Sequence, residues 1–369
     1  MTLSALETKI DFDEIENKLE DLDFEAKSIN EIMPKLRKIQ KLKEEKNVLF
    51  LAHYYQTPPI QLIADIKGDS LALAMTAKKV GQNYDLILSS TVHFMAEMVK
   101  LLNPNKKVVI PDLEASCSID EGINGSTIRK IKNHFPESAI IGYINTSAEA
   151  KAEMDSVCTS ANATKVISRI QGKEVILLPD YFFAKNILQD AIRTGEKRSL
   201  IAYKGIERGN IILENVASNY IYKINGEKIM LPLLNKGTCI VHEQFTPAQI
   251  ETYRREHKVD LVMAHPEVNP DVAKLAEMVG GTQKMIDYLK DKNIKKVLML
   301  TECDLSAPLR EAYPNIDFVT PCFMCPYMKK NTLDKVINAL KYEKPEMTLD
   351  PILAIKARKS LDKMFELTA

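Results

Sequence analysis

"LAHYYQTPPIQLIADIKGDSLALA", residues 51–74, sets a pattern that the chain repeats. An apolar run ends at His53, a short helical stretch follows, and seventeen residues on (70 − 53) Ser70 opens a further helix. "MAHPEV", residues 263–268, ends an apolar run at His265, and the same interval (282 − 265) reaches Thr282 in "GGTQKMI". "GYINTS", residues 142–147, brings a third run to Tyr143, with Ser160 of "CTSANATKVI" again seventeen residues on (160 − 143). Three ordinary helix caps could share a spacing, but three equal intervals in matching contexts favour a repeated unit. Each hydroxyl residue is expected to act as an N-cap. A helix N-terminus there would offer free N–H groups to an anion.

Working outward, short apolar runs alternate with helical stretches. Strands are expected at "VLFLAHYY", "LILSST", "KVVIPD", "AIIGYINT", "VILLPD", "IMLPLL", "DLVMAHPE", "VLMLTE" and "DFVTP". Strands separated by helices imply an α/β fold with parallel sheets. The echo divides it into three similar small domains around a pseudo-threefold axis. The expected boundaries are an N-terminal helical extension at 1–36, domains at 37–126, 127–248 and 249–342, and a C-terminal helical segment at 343–369. Ligands of open parallel sheets bind beyond the carboxyl ends of strands. The polar strand ends are therefore the expected site: His53, Tyr54 and Tyr55; Tyr143 and Asn145; His265 and Glu267. A pocket lined with such groups suits a small polyanion.

Fifty acidic and fifty basic side chains in 369 residues give zero formal charge, which removes the electrostatic case for nucleic acid or an anionic membrane as partner. No apolar run approaches the ~18–20 residues of a membrane span. The amphipathic, acidic N-terminus is unlike a signal or transit peptide and reads as a solvated helical extension, so a cytosolic protein is expected. Cysteines there stay reduced, or serve metal or catalysis.

The six cysteines sort by position. Cys117 after "IPDLEAS", Cys239 in "NKGTCIVHE" and Cys325 in "PCFMCPYMKKN" each follow a strand, one per expected domain. Cys322 and Cys325 could also form a thioredoxin-type dithiol. The intervals of 122 (239 − 117) and 86 (325 − 239) are too wide for the paired spacings usual in zinc sites. Three thiolates meeting near a threefold axis fit a [4Fe–4S] cluster better; four cysteines are usual, so three leave one iron open as a Lewis acid. Cys158 and Cys303 are expected to be plain thiols.

These residues bring the chain to a known family. It resembles the quinolinate synthases of NAD biosynthesis, through "LAHYYQTPPIQLIADIKGDSLALA", "VHFMAEMVKLLNP", "IPDLEASCS", "YINTSAEAKAEMD", "CTSANA", "GTCIVHEQFTP", "AHPEV", "VGGTQKMI", "TEC" and "CPYMKKNTLDKV", from about residue 47 to 340. The resemblance implies a central [4Fe–4S] cluster held by Cys117, Cys239 and Cys325, with Cys322 a neighbour. It implies condensation of iminoaspartate with dihydroxyacetone phosphate to quinolinate, phosphate and two waters, with an L-aspartate-oxidising enzyme upstream. The implied substrate contacts are His53, Ser70, Tyr143, Ile144, Asn145, Ser160, His265, Pro266, Glu267 and Thr282, with Tyr55 and His242 at further pocket positions. Departures are "PDYFFAKN" in place of a more basic stretch, Cys303 in "TEC", and Val319 where relatives often carry a cysteine.

The chemistry needs acid–base groups more than a redox change. Glu267 is the expected general base, with Tyr55 and His265 as proton donors or orienters; Ser70, Ser160 and Thr282 would receive carboxylates and phosphate. Two other classes are weighed. A three-cysteine [4Fe–4S] enzyme of the diphthamide-synthesis type is disfavoured by "HPE" and "YIN". A non-catalytic cluster sensor would have no need of three polar strand ends facing a pocket.

Overall fold

The computed structural model describes residues 10–225, 237–290 and 294–369. Apolar runs such as "VLFLAH" are buried along their whole length, the pattern of strands covered on both faces. The strands of the first sheet are β1 (Val48–His53), β2 (Ile66–Gly68), β3 (Leu86–Ser90) and β4 (Lys107–Val109). The second sheet holds β5 (Ala139–Tyr143), β6 (Ser156–Cys158), β7 (Glu174–Leu178), β8 (Ser199–Glu207), β9 (Asn210–Asn215) and β10 (Ile221–Asn225). The third has β11 (Leu261–Ala264), β12 (Met278–Val279), β13 (Lys296–Leu300) and β14 (Asp317–Val319). Their orders are β2-β1-β3-β4, β10-β9-β8-β7-β5-β6 and β12-β11-β13-β14. Apart from the antiparallel additions β9 and β10, every pairing is parallel. The α/β class and the three similar small domains expected from the sequence are both present.

The repetition reaches individual hydrogen bonds. In β1 the Phe50 N–H donates to the Asp65 carboxylate at 2.7 Å, and the Asp65 N–H returns to Phe50 O at 2.9 Å. Ile140 pairs in the same way with Asp155 (2.8 and 3.0 Å), and Val262 with Glu277 (2.8 and 3.1 Å), always fifteen residues apart. A base from the helix preceding the strand clasps each acid: Lys43 on Asp65 at 2.7 Å, Lys132 on Asp155 at 2.8 Å, Arg254 on Glu277 at 2.6 Å. The repeated unit therefore begins one helix earlier than the strand.

That helix corrects the reading of the N-terminus. Ala26–Glu45 is the counterpart of Gly125–His134 and Pro247–His257, and it runs unbroken through residues 36 and 37. Ile29, Leu36 and Ile39 join Ile15 and Leu19 of the helix Phe12–Asp21 in one core with Phe50, Ile60, Leu88, Val336 and Leu340. The segment is packed, not a solvated extension, because its apolar stripe has a sheet to cover. By chain contacts, one compact unit takes the chain up to Ser116 with Asp304–Ala312 and Met324–Leu349. The other takes Cys117–Cys303, Tyr313–Phe323 and Asp350–Ala369. Among the described residues no helix is long and apolar enough to cross a membrane.

Eight expected strands form, shorter at their polar ends. The ninth, "IMLPLL", lies outside the described residues. Six strands were not expected. β2, β6 and β12 have only two or three residues, and β8, β9 and β10 form an antiparallel extension turned at Arg208 and Gly209, both with positive φ.

Burial sets the worth of each clasp. The Lys43 side chain is 4% exposed and the Asp65 side chain 19%, whereas Arg254 and Glu277 are 36% and 46% exposed. Lys43→Met, which keeps the apolar stem, is expected to destabilise the chain by about 3 kcal/mol, because it strands a part-buried carboxylate. Arg254→Met should cost under about 1 kcal/mol. Urea unfolding of the two variants checks this, and equal losses would contradict it.

Candidate active site

Past the end of β11 the chain turns, with the Val268 N–H donating to His265 O at 3.1 Å, and the side chain of Glu267 is buried. Glu267 Oε1 accepts the Tyr143 hydroxyl at 2.7 Å. Oε2 lies 2.8 Å from His242 Nδ1. That nitrogen is also 3.1 Å from Cys239 Sγ, and His242 Nε2 is 3.1 Å from Thr301 Oγ1 at the end of β13. His265 stacks on His242 with centroids 4.5 Å apart; its Nδ1 has no hydrogen-bond partner and is 3.7 Å from Glu267 Oε2. The strand ends of the second and third sheets thus meet through one hydrogen-bonded chain: Tyr143, Glu267, His242 and Cys239.

Burial works against ionisation of Glu267, but the His265 and His242 imidazoles and the Tyr143 hydroxyl more than offset it and hold the carboxyl at about 2. Burial pushes His265 down to about 4 against the pull of Glu267. Near neutrality Glu267 is charged and His265 is not. Buried Asp180, in turn, is driven well above the usual carboxylate range by burial and then by Glu267. Two acids with environments pulling them apart are a mark of acid–base sites.

Ser160, Gly281 and His265 converge. A Cβ at Gly281 would fall 2.2 Å from Ser160 Oγ and 4.0 Å from His265 Nε2, so glycine permits the start of the helix Thr282–Tyr288 to approach. The expected capping roles are corrected here. Asp69, Asn162 and Gly281 are the caps; Ser70 and Thr282 are the first helical residues, and Ser160 lies two residues before its cap. Of the three, only Asp69 caps through its side chain, accepting the Ala72 N–H at 2.9 Å, whereas the Asn162 side chain accepts the Thr159 N–H at 2.7 Å and Gly281 has no side chain to offer. Ile144 is buried, Asn145 half-buried, and Ile144 O and Thr146 O both accept from the buried Lys151 ammonium. Pro266 is buried within the Glu267 turn.

The loops of Cys117 and Cys239 are stapled by Ser118, whose Oγ donates to Thr238 O and accepts the Ile240 N–H, both at 3.0 Å. Both thiols are half-buried, unlike the fully buried Cys158, whose thiol burial pushes far up. Donor atoms of Cys239, His242 and Glu267 lie within 4.8 Å of one another, a set able to grip a metal ion. Cys303 is not a plain thiol: it is bonded to Cys322, with Cα atoms 4.9 Å apart. The loop after β13 and the loop after β14 carry the two cysteines, and these strands are neighbours in the sheet.

The remaining site residues lie in the first unit. His53 is buried at the end of β1, its Nδ1 accepting the Tyr55 N–H at 3.0 Å and its ring edge-on to Tyr55 at 4.6 Å. Lys329 Nζ donates to Tyr55 O and pairs with Asp304, each at 2.6 Å. Cys325 is half-buried, and its carbonyl accepts the Lys329 N–H at 3.1 Å. Sequence reasoning missed Thr301, Asp180, Lys151 and Lys329. Lys151 closes the short helix Ala148–Lys151, and its burial depends on packing that the sequence does not display.

Residues 37–366 match the family profile described as Quinolinate synthetase A protein, NadA. The chain is 37% identical over 335 residues to a quinolinate synthase of Sinorhizobium fredii, covering 90% of this chain and 82% of that protein. It is 39% identical over 324 residues to quinolinate synthase 2 of Mesorhizobium japonicum, covering 88% of each, and 36% identical over 339 residues to a quinolinate synthase of Caulobacter vibrioides, covering 90% and 82%. With nine-tenths of its length aligned and the repeated strand ends in place, the chain belongs to the quinolinate synthetase A family of enzymes.

Proposed function

We propose that the chain condenses iminoaspartate with dihydroxyacetone phosphate to quinolinate, releasing phosphate and two waters, as a cytoplasmic step of NAD biosynthesis. The observation that carries this reading is the buried Glu267 carboxyl group held between Tyr143 and His242, with Cys239 on the same chain of contacts. A carboxylate so fixed is equipped to take a proton from carbon or oxygen without reorganising.

Cys117, Cys239 and Cys325 would hold a [4Fe–4S] cluster. The donor set fits, since all three are half-buried cysteines and soft sulfur ligands are those such clusters take. When bound, the cluster supplies an open iron, a Lewis acid toward a substrate hydroxyl or carboxylate. Around it Glu267 acts as base. His265, uncharged near neutrality, orients or donates through its ring N–H, and Tyr55 is a further proton donor. His53, Ser70, Tyr143, Ile144, Asn145, Ser160, His242, Pro266 and Thr282 make the substrate contacts, the hydroxyls of Ser70, Ser160 and Thr282 receiving carboxylates and phosphate. Iminoaspartate would come from an enzyme that oxidises L-aspartate.

An anaerobic assay with iminoaspartate and dihydroxyacetone phosphate tests the reading. Quinolinate and phosphate in equal amounts are expected. Cleavage of S-adenosylmethionine instead would point to the diphthamide-synthesis type, and a cluster without turnover of either kind to a sensor.

A further inference from the structure

The segment "PDYFFAKN", residues 179–186, holds Asp180, described above, and further side chains that have found no part in the chemistry so far. It opens the helix Tyr181–Arg193, capped by Asp180 through the Phe183 N–H at 2.9 Å. Two side chains one turn apart on this helix reach the Glu267 neighbourhood. Phe183 is buried and stacked on Tyr143, ring centroids 4.0 Å apart and planes 20° from parallel. Asn186 places Nδ2 at 2.9 Å from Pro266 O and at 2.9 Å from Val268 O. One amide group thus uses both its N–H bonds on the two carbonyls that flank Glu267. Phe183 fixes the ring that donates to Oε1, and Asn186 fixes the backbone that carries the carboxylate.

We propose that Asn186 is a positioning residue for Glu267, gripping the backbone on both sides of it so that the carboxylate is held on its Tyr143 and His242 partners. The geometry has a physical reason. Within the His265–Val268 turn the backbone tie is the Val268 N–H to His265 O bond. Its carbonyls at 266 and 268 need donors from outside, and a buried carbonyl left without one is costly. An asparagine amide has two N–H donors in one plane and can bridge both carbonyls at once. Lysine or serine in its place would lack the flat, two-pronged donor.

This inference rests on the role proposed for Glu267, and the test separates the two. The kinetics are a double-mutant cycle of wild type, Asn186→Ala, Glu267→Gln and the double variant, assayed on anaerobically loaded enzyme for kcat and KM. Asn186→Ala is expected to lower kcat by about 10- to 100-fold, because a displacement of about an ångström at a reacting group has that effect. KM should move by less than about threefold, and on the Glu267→Gln background the same change should cost under about twofold. A full repeat of the loss on that background, or a wild-type kcat in Asn186→Ala, would overturn the proposal. Hydrogen exchange supplies a readout that needs no activity. The Val268 amide should exchange faster in Asn186→Ala while strand amides of β5 and β11 keep their protection, and an unchanged Val268 amide would overturn it equally. An inactive wild type would fail the function reading alone, leaving exchange to judge Asn186. Should Asn186→Ala not fold, Asn186→Asp, which keeps the shape but turns one donor group into an acceptor facing two carbonyls, enters the same cycle and the same exchange measurement.

Discussion

Replacing Cys117, Cys239 or Cys325 by alanine should leave a folded protein without iron or sulfide and with quinolinate formation at the assay background. Anaerobically purified wild type should carry about four irons and four sulfides per chain. Each cysteine is expected to be individually necessary, because three ligands already leave one iron without a protein ligand. Cys158→Ala should keep the cluster, since that thiol is buried in β6, where burial holds it protonated rather than as the thiolate a ligand must be. Cys303→Ala and Cys322→Ala should keep it too, as the two sulfurs are bonded to each other. Iron and sulfide analysis across the six variants reads this directly. A Cys322→Ala protein that lacks iron while Cys325→Ala retains it would show that the wrong member of the pair had been chosen.

The same cysteines show where the sequence was legible and where it stopped. Cys117, Cys239 and Cys325 stood out because each follows a strand end, and strand ends can be read from apolar runs. The bond between Cys303 and Cys322 could not be read that way. It depends on β13 lying beside β14, a pairing that local pattern does not encode. The seventeen-residue echo was visible because one repeated unit imposes one spacing. The acid clasps at Asp65, Asp155 and Glu277 repeat just as faithfully, but surface-type charges are so common that three of them at a fixed offset pass unnoticed. The helix Ala26–Glu45 was misread for a related reason. Its amphipathic period is the same whether the apolar stripe meets a sheet or is left in water, and only the fold says which. Caps failed at a finer scale. Asp69 and Asn162 lie one and two residues from the serines that seemed to fill their place, and helix starts are rarely readable to that precision.

Glu267→Gln should lower turnover by roughly 10²–10⁴ while iron content stays at the wild-type level. The substitution keeps the volume and leaves an oxygen for the Tyr143 hydroxyl, but it removes the ability to accept a proton. It also exchanges one carboxylate oxygen facing His242 for an amide nitrogen or oxygen of no charge. The wild-type pH profile sharpens the expectation. With Glu267 held at about 2, its base form is complete throughout pH 5 to 8, so turnover should show no acid limb near the ordinary glutamate value. Stability carries the same signature with a definite sign. A carboxyl whose folded value lies below its unfolded value of about 4.3 stabilises the native chain above that pH, and the contribution fades as pH falls toward 2. The thermal midpoint of Glu267→Gln should therefore lie below that of wild type at pH 7, and the two should converge on acidification. A purely structural Glu267 would show the drop in midpoint together with near-wild-type turnover. Midpoint, iron content and turnover measured on one preparation at pH 7 distinguish the cases, since only loss of turnover with iron retained assigns the proton transfer to this carboxylate.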